Sequence, residues 1–195
     1  IRNFEQDIFV HNIKENKTTN LTNTGVTESG PVWSPDGKYI FFTSQRLKAS
    51  YPFGMANARV YREQLEKLDE PYKIDKFNEL FKDEKKDTTK KATATDSLKS
   101  ITIDTDLLME RLEQISPSLG AQFLQSVYQK GEKTTVLYTS NHGDAKNALW
   151  KTITEPFEQN KTEKIAGTDN SLGIDIAEVS DKLYVLFKGT INKLN

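Results

Sequence analysis

The sequence predicts an all-β fold, namely a partial β-propeller of about three to four four-stranded antiparallel blades with a charged insertion. Three observations support this prediction. Short apolar runs alternate with turn residues along most of the chain, some runs are apolar on both faces, and the order of strands recurs at roughly 50 residues. Repeats of this length with four strands each are typical of propellers. An ordinary antiparallel sandwich also has a turn about every ten residues and is the alternative.

The clearest element is a hairpin over residues 30–44. In its turn, Pro35 presets the backbone φ of the first central position, and Gly37 accepts a positive φ without steric cost. The strand that follows has four large apolar residues in succession at 39–42. A half-buried strand alternates apolar and polar residues, so this one must be covered on both faces. A propeller blade between two neighbours meets that condition.

The other predicted strands follow from short β-branched or aromatic runs bounded by turn residues. Residues 107–115 either continue the strand before them or turn locally helical. The insertion, 69–100, contains a short helix capped by Asp75 and then almost only Lys, Asp, Glu, Thr and Ala. Such a segment buries too little apolar surface to offset its ordering entropy, so we expect it to be mobile. Strands are predicted at 7–13, 18–22, 58–65, 100–104, 123–129, 135–140, 148–153, 161–165, 174–177 and 183–187.

The repeat divides the chain into parts of one propeller domain. We expect the end of a blade at 1–28, a second blade with the insertion at 29–117, a third blade at 118–168 and the start of a fourth at 169–195. Loops 23–28, 46–57, 116–120, 141–146 and 167–172 then share one face, and the first strand of each blade lines a central channel. The open sheet edges of such a fragment must be covered by further blades or by another copy of the chain.

Composition excludes several classes of function. The 27 basic and 28 acidic residues give a net charge of −1, so we expect neither nucleic acid nor a membrane as partner. The absence of cysteine excludes disulfides, thiolate metal sites and a cysteine nucleophile. No apolar run reaches the ~18 residues of a membrane span. The chain opens in mid-pattern on Ile1 without an initiator Met, which indicates a piece of a longer protein.

The sequence contains no catalytic motif that we can identify. There is no G-x-S-x-G elbow, H-E-x-x-H pair, P-loop or G-x-G-x-x-G loop, so we predict no catalytic residue, cofactor or metal. Asp104 and Asp106 suit a hard cation but lack an evident third ligand, and a solvated strand edge is the plainer interpretation. His11 lies in a strand and is expected to be structural or exposed. Trp33 and Trp150 are expected to pack between blades.

The best candidates for ligand contact are apolar and aromatic side chains in two loops. Tyr51, Phe53 and Met55 lie in the loop 46–57, where exposed aromatic residues and methionine suit contact with a peptide. His142 lies in the loop 141–146 beside Gly143. We predict these four residues as peptide contacts. Packing of the first loop onto its neighbour and ordinary loop chemistry for His142 are the alternatives.

Three parts of the chain carry a resemblance to known families. Residues 32–44, preceded by 7–10 and 20–22, resemble the WD-like propeller repeat of the Tol-system periplasmic propeller, tricorn proteases and prolyl-oligopeptidase relatives. Residues 101–117 are similar to the strand entering the last blades of the tricorn propeller, with Ile103, Asp104 and Asp106, then Arg111 and Leu112, then Pro117. The loop 51–55 also resembles bacterial tricorn homologues.

The tricorn resemblance implies a function for the parent protein and a supporting role for this chain. In that family the propellers precede a PDZ module and the domains that carry the serine nucleophile, so the resemblance places no catalytic residue here. It implies a serine endopeptidase or exopeptidase as parent, with this portion channelling or filtering unfolded peptides. The expected partners are those peptides, the remaining blades and protease domains, and other copies through open edges.

A different class of protein is compatible with the same repeat. A Tol-type propeller would act as a protein–protein interaction scaffold without an attached protease. A gating propeller of a prolyl-oligopeptidase-like enzyme is a third alternative. The resemblance favours a periplasmic or otherwise exported protein, with the cytoplasm as the alternative.

Overall fold

The computed structural model describes residues 5–50, 54–67, 101–170 and 173–194. Within them the chain forms antiparallel sheets, which confirms the all-β prediction, and none of these sheets closes into a barrel. Sheet 1 contains strands β1 and β2, sheet 2 contains β3 to β6, sheet 3 contains β7 to β10, and sheet 4 contains β11 to β13, each in sequential order. The bounds are β1 Phe9–Asn12, β2 Lys17–Asn20, β3 Glu28–Trp33, β4 Tyr39–Ser44, β5 Arg59–Gln64, β6 Leu112–Gln114, β7 Gln122–Lys130, β8 Lys133–Ser140, β9 Ala148–Thr154, β10 Lys161–Lys164, β11 Asp175–Val179, β12 Lys182–Phe187 and β13 Thr190–Lys193.

One predicted strand is wrong. The described part of 100–104 forms no strand; it leads instead to a 3-10 helix at Leu108–Arg111. The Asp104 N–H donates to the Leu65 carbonyl, but the Asp104 carboxylate accepts the N–H of Asp106 at 3.0 Å. This local turn competes with strand pairing and redirects the chain. The predicted insertion, 69–100, and its helix at Asp75 lie outside the described residues.

The predicted hairpin turn forms through a short network of hydrogen bonds. Gly37 has φ +73° and its N–H donates to the Ser34 carbonyl at 2.9 Å. The Ser34 hydroxyl donates to the Asp36 carboxylate at 2.7 Å and accepts the N–H of Tyr39 at 2.9 Å. These bonds satisfy polar groups that the turn leaves unpaired and fix the register of β3 against β4.

Strand β4 is buried on both faces, as predicted. Ile40 and Phe42 pack with Ile8 and Leu21 of the sheet 1 region, whereas Phe41 packs with residues of sheet 3. Alternate side chains of one strand therefore serve two different cores. Burial of each such side chain contributes about 1.5–3 kcal/mol to the free energy of unfolding.

Strand β8 repeats this arrangement one sheet later. Val136 and Tyr138 pack against sheet 2, and Leu137 packs with Leu149 against Val185 of sheet 4. Each internal sheet is thus covered by the sheet before it and the sheet after it in the chain. The sheets stack face to face in chain order.

The first strands of successive sheets lie close together. Strand β7 approaches β3, β4 and β5 of sheet 2 and β11 of sheet 4, whereas β6 and β10, the last strands of sheets 2 and 3, show no comparable approach to another sheet within the described residues. Two backbone hydrogen bonds link one sheet to the next, from Glu28 N–H to the Gln6 carbonyl at 2.8 Å and from Gln122 N–H to the Ala58 carbonyl at 3.0 Å. Both β3 and β7 contain a one-residue bulge, between Ser29 and Val32 and between Leu124 and Ser126.

In each of sheets 1 to 3, a buried hydroxyl just after the last strand forms a hydrogen bond with the backbone near the start of the adjacent strand. After β2, β6 and β10, a side-chain oxygen accepts a backbone N–H from near the start of the neighbouring strand. We call these residues the latch hydroxyls: Thr22 accepts from Ile8 at 3.0 Å, Ser116 from Val60 at 2.9 Å and Thr168 from Leu149 at 3.0 Å. Ser116 also donates to the Gln122 side chain, so this latch connects sheet 2 to sheet 3.

The Ser116 latch predicts a stability difference. Ser116→Ala removes the acceptor of the buried Val60 N–H and the donor to Gln122, which should lower the free energy of unfolding by about 1–3 kcal/mol. The measurement is urea denaturation followed by circular dichroism. Ser118→Ala is the matched control, because Ser118 is exposed and an exposed substitution usually changes stability by under ~0.5 kcal/mol. Equal effects of the two substitutions would contradict the prediction.

Candidate functional site

The predicted contact residues lie in two loops, and the structure describes two of the four. Tyr51 and Phe53 lie outside the described residues. Met55 is half-buried, and its carbonyl accepts the Ala58 N–H at 3.0 Å just before β5. His142 is half-buried in the loop between β8 and β9. The contact prediction for all four residues stays a prediction.

His142 belongs to a compact cluster with Ser140 and Trp150, which we call the His142 cluster. The imidazole lies against the Trp150 ring with centroids 3.8 Å apart and an interplanar angle of 32°. The Ser140 hydroxyl lies 2.6 Å from His142 Nδ1, and the same oxygen accepts the His142 backbone N–H at 3.2 Å. The Ser140 hydroxyl therefore holds the imidazole through a short hydrogen bond at Nδ1 and leaves Nε2 without a part in this contact.

A glycine brings the neighbouring loop against this cluster. Gly120 has φ +69°, and a Cβ at this position would lie 2.7 Å from the His142 backbone nitrogen. Asn141 fixes the approach, because its side-chain oxygen accepts the Ala121 N–H at 2.7 Å. Only glycine allows both the close contact and the left-handed backbone. The loops 116–120 and 141–146 are thereby held together beside Arg59, whose guanidinium donates to the Gly120 carbonyl.

The surroundings of His142 favour its neutral form. Burial lowers the pKa of the imidazole below 6.5, and the positive charge of Arg59 lowers it further. At neutral pH the ring is an uncharged donor and acceptor on an aromatic surface. Such a group suits hydrogen bonding to an amide rather than binding of an anion.

The Ser140–His142 pair does not have the geometry of a hydrolytic dyad. Ser140 is 1% exposed, so its hydroxyl cannot reach a substrate carbonyl. Among the described residues, no carboxylate forms a hydrogen bond with His142 that would orient it as a base. The cluster therefore offers no accessible nucleophile at Ser140.

The other residues considered from the sequence have ordinary surroundings. His11 is exposed, and its Nδ1 lies 2.9 Å from the Thr18 hydroxyl across β1 and β2. Asp104 and Asp106 form the local turn described above. Within the described ranges, no group of three or more His, Cys, Asp or Glu side chains is placed to hold a metal ion.

Sequence reasoning misjudged one tryptophan and missed one phenylalanine. Trp33, at the end of β3, is 41% exposed instead of packed between sheets, and Phe123, near the start of β7, is 39% exposed. Trp150 does pack, partly buried, against the core between sheets 2 and 3. Both exposed rings lie on first strands of sheets. The sequence signal for Phe123 was its position at the start of a predicted first strand.

The described helical segment is far too short to cross a membrane.

The chain has the architecture of successive antiparallel sheets stacked through doubly buried central strands. A solved structure described as the crystal structure of the tricorn protease is similar to this chain in fold, with a TM-score of 0.58 and 12% sequence identity. The match covers 97% of this chain and 18% of that one, so the chain spans less than a fifth of the protein it resembles. No family model and no curated protein matches the sequence. At this identity the likeness shows a tricorn-like fold.

The His142 cluster predicts a titration that depends on Trp150. Trp150→Ala exposes the imidazole to water and should raise the His142 pKa toward 6.5. The measurement is an NMR pH titration of the ring protons, assigned with a His11→Gln variant. Trp33→Ala removes an exposed ring elsewhere and should leave the His142 titration unchanged. An unchanged pKa in Trp150→Ala would show that burial is not the cause.

Proposed function

We propose that this chain is part of the propeller region of a tricorn-like serine protease and channels or filters unfolded peptides toward a catalytic domain elsewhere. In this proposal the sheets are consecutive blades. Residues 1–28 end one blade, 29–117 form a second with its insertion, 118–168 form a third, and 169–195 begin a fourth. The chain itself is not catalytic.

The stacking of the sheets is the observation that carries the proposal. Each internal sheet is covered on both faces by its chain neighbours, and the first strand of sheet 3 lies against both sheet 2 and the first strand of sheet 4. A series of sheets stacked in this way is typical of propellers and not of a two-layer sandwich. The repeated latch hydroxyls and the tricorn-like fold agree with this interpretation.

The residues proposed to contact peptide lie on the first strands and on one set of loops. In a propeller, β3, β7 and β11 line the channel, so exposed Trp33 and Phe123 offer apolar contact to an extended chain. Met55 and His142 lie in loops proposed to share one face. Selection would come from channel width and weak contacts with backbone amides. In this proposal the remaining blades and the protease domains belong to the same polypeptide as this chain. The whole protein is proposed to be exported.

An exposed apolar face of sheet 4 also suits the second candidate, an interaction scaffold of the Tol type. Val179, Leu186 and Ile191 are exposed together on the face of sheet 4 directed away from sheet 3, which suits contact with another protein. A further blade would cover the same side chains, so this face alone does not separate the two functions.

Binding of an unfolded peptide separates them. We expect a fluorescently labelled, unstructured peptide with mixed apolar and polar residues to bind the chain and to remain uncleaved. Because apolar contact supplies part of the affinity, Trp33→Ala with Phe123→Ala should weaken binding roughly three- to tenfold. The measurement is fluorescence anisotropy, with mass spectrometry of the peptide before and after incubation.

Leu186→Ser is the matched control, since it changes an exposed apolar residue outside the proposed channel. Equal binding by the parent chain and the double variant would contradict the channel function. Binding lost only in Leu186→Ser would favour the scaffold. Cleavage of the peptide by the pure chain would refute the non-catalytic assignment.

A further inference from the structure

Strand β5 carries a carboxylate that is buried without a partner. Glu63 is 0% exposed, and neither of its side-chain oxygens has a hydrogen-bond partner. It lies opposite Ile40 of β4 and Leu112 of β6. The face of sheet 2 on which Glu63 lies packs with Ile8 and Leu21, which flank the strands of sheet 1. The carboxylate is therefore at the junction between sheets 1 and 2.

The next sheet shows what a partnered residue at this place looks like. Thr152 of β9 occupies the equivalent register, opposite Val136 of β8 and Thr162 of β10. Its hydroxyl lies 3.0 Å from the Tyr138 hydroxyl and 2.8 Å from the Thr162 hydroxyl. In sheet 2 the corresponding neighbours are Phe42 and Leu112, which offer no hydrogen bond. Glu63 thus has a larger polar group than Thr152 but lacks the hydroxyl partners that Thr152 has in sheet 3.

The charged groups near Glu63 are engaged elsewhere. Arg46 pairs with Glu28 of β3 at 3.3 Å and donates to the Met109 sulfur at 3.2 Å. Arg111, before β6, donates to the carbonyls of Gln64, Asp106 and Asp104.

The remaining neighbours bring no compensating charge. On β5 itself, Tyr61 is an uncharged neighbour, because burial raises the pKa of its hydroxyl. From sheet 1 and its flanks, the residues packed into this layer are Ile8, Val10 and Leu21, none of which titrates.

Burial is the largest influence on the proton affinity of Glu63. It raises the pKa of the carboxyl to about 7, the positive charge of Arg46 opposes it, and the negative charge of Glu28 adds to it. Below the ordinary value of 4.5 the acid is protonated whether the chain is folded or unfolded. Between pH 4.5 and about pH 7 the carboxyl is protonated in the folded chain and ionised in the unfolded chain. The free energy of unfolding therefore decreases as the pH rises through this range. Above that range the folded chain carries a buried charge.

We propose that Glu63 makes the docking of the β1–β2 hairpin onto sheet 2 depend on pH, with the hairpin tightly docked when the carboxyl is neutral and released more readily when it is ionised. The hairpin is the element that yields, because the face of sheet 2 that carries Glu63 packs with Ile8 and Leu21 at the flanks of the hairpin, whereas the opposite face packs with sheet 3. Its opening gives the carboxylate access to water without disrupting the contact between sheets 2 and 3. This regulation does not depend on the peptide-channelling function.

Hydrogen exchange of the full chain tests the proposal. Amide exchange is measured by mass spectrometry in peptides covering β1–β2 and, for comparison, β7–β8. The parent and Glu63→Gln are compared at the same pH, so that the intrinsic pH dependence of exchange cancels. At about pH 5 the two chains should exchange at similar rates in β1–β2. At about pH 8 the parent should exchange roughly a hundredfold faster there, with β7–β8 unchanged.

Two further variants keep the result interpretable. Glu63→Leu should also abolish the pH dependence and replaces Glu63→Gln if the buried amide prevents folding. Glu113→Gln is the matched control, because it neutralises an exposed acid beside Leu112 on β6 and should retain the dependence. The proposal is overturned if the Glu63 variants keep the dependence, if Glu113→Gln removes it, or if exchange in β7–β8 rises equally.

Discussion

The structure depends on central strands that are apolar on both faces. Ile40, Phe41 and Phe42 are consecutive, and all three are almost fully buried, which is possible only if a sheet lies on each side of β4. The same requirement holds for Val136, Leu137 and Tyr138 in β8. Since each sheet supplies half of its neighbour's cover, no internal sheet has a complete core of its own. The arrangement in chain order follows from this mutual dependence and from the short connections between sheets.

This constraint also explains where polar residues are tolerated inside the stack. Tyr138, Thr152 and Thr162 form a chain of two hydrogen bonds, so each of these three hydroxyl oxygens in sheet 3 has a partner. The latch hydroxyls satisfy backbone groups at the point where one sheet passes to the next. Glu63 departs from this rule. A buried polar side chain without hydrogen-bond partners is a place where a response to pH is to be expected.

The sequence was sufficient for features encoded by neighbouring residues. Pro35 and Gly37 specify the turn, and the apolar run after them specifies a strand buried on both faces. It was misleading at Ile101 and Ile103, where alternation typical of a strand is overridden by the local turn at Asp104. Trp33 was misplaced because its exposure depends on which side chains oppose it across space. The contact of His142 with Trp150 could not be read from the sequence, because the backbone conformation around Gly120 and Gly143 decides it. Glu63 did carry a signal, since it shares the period-two face of Tyr61 and Leu65, but its missing partners lie on other strands.

The latch at Ser116 limits how this chain could be dissected or recombined. Ser116 follows the last strand of sheet 2, yet its hydroxyl donates to Gln122, the first residue of sheet 3. The Gln122 amide in turn donates to the carbonyls of Pro117 and Leu119. A cut anywhere between these residues would leave buried polar atoms without partners on both fragments. Excision or shuffling of single sheets should therefore carry the residues from Ser116 to Gln122 as one unit, so the smallest exchangeable module is larger than a sheet.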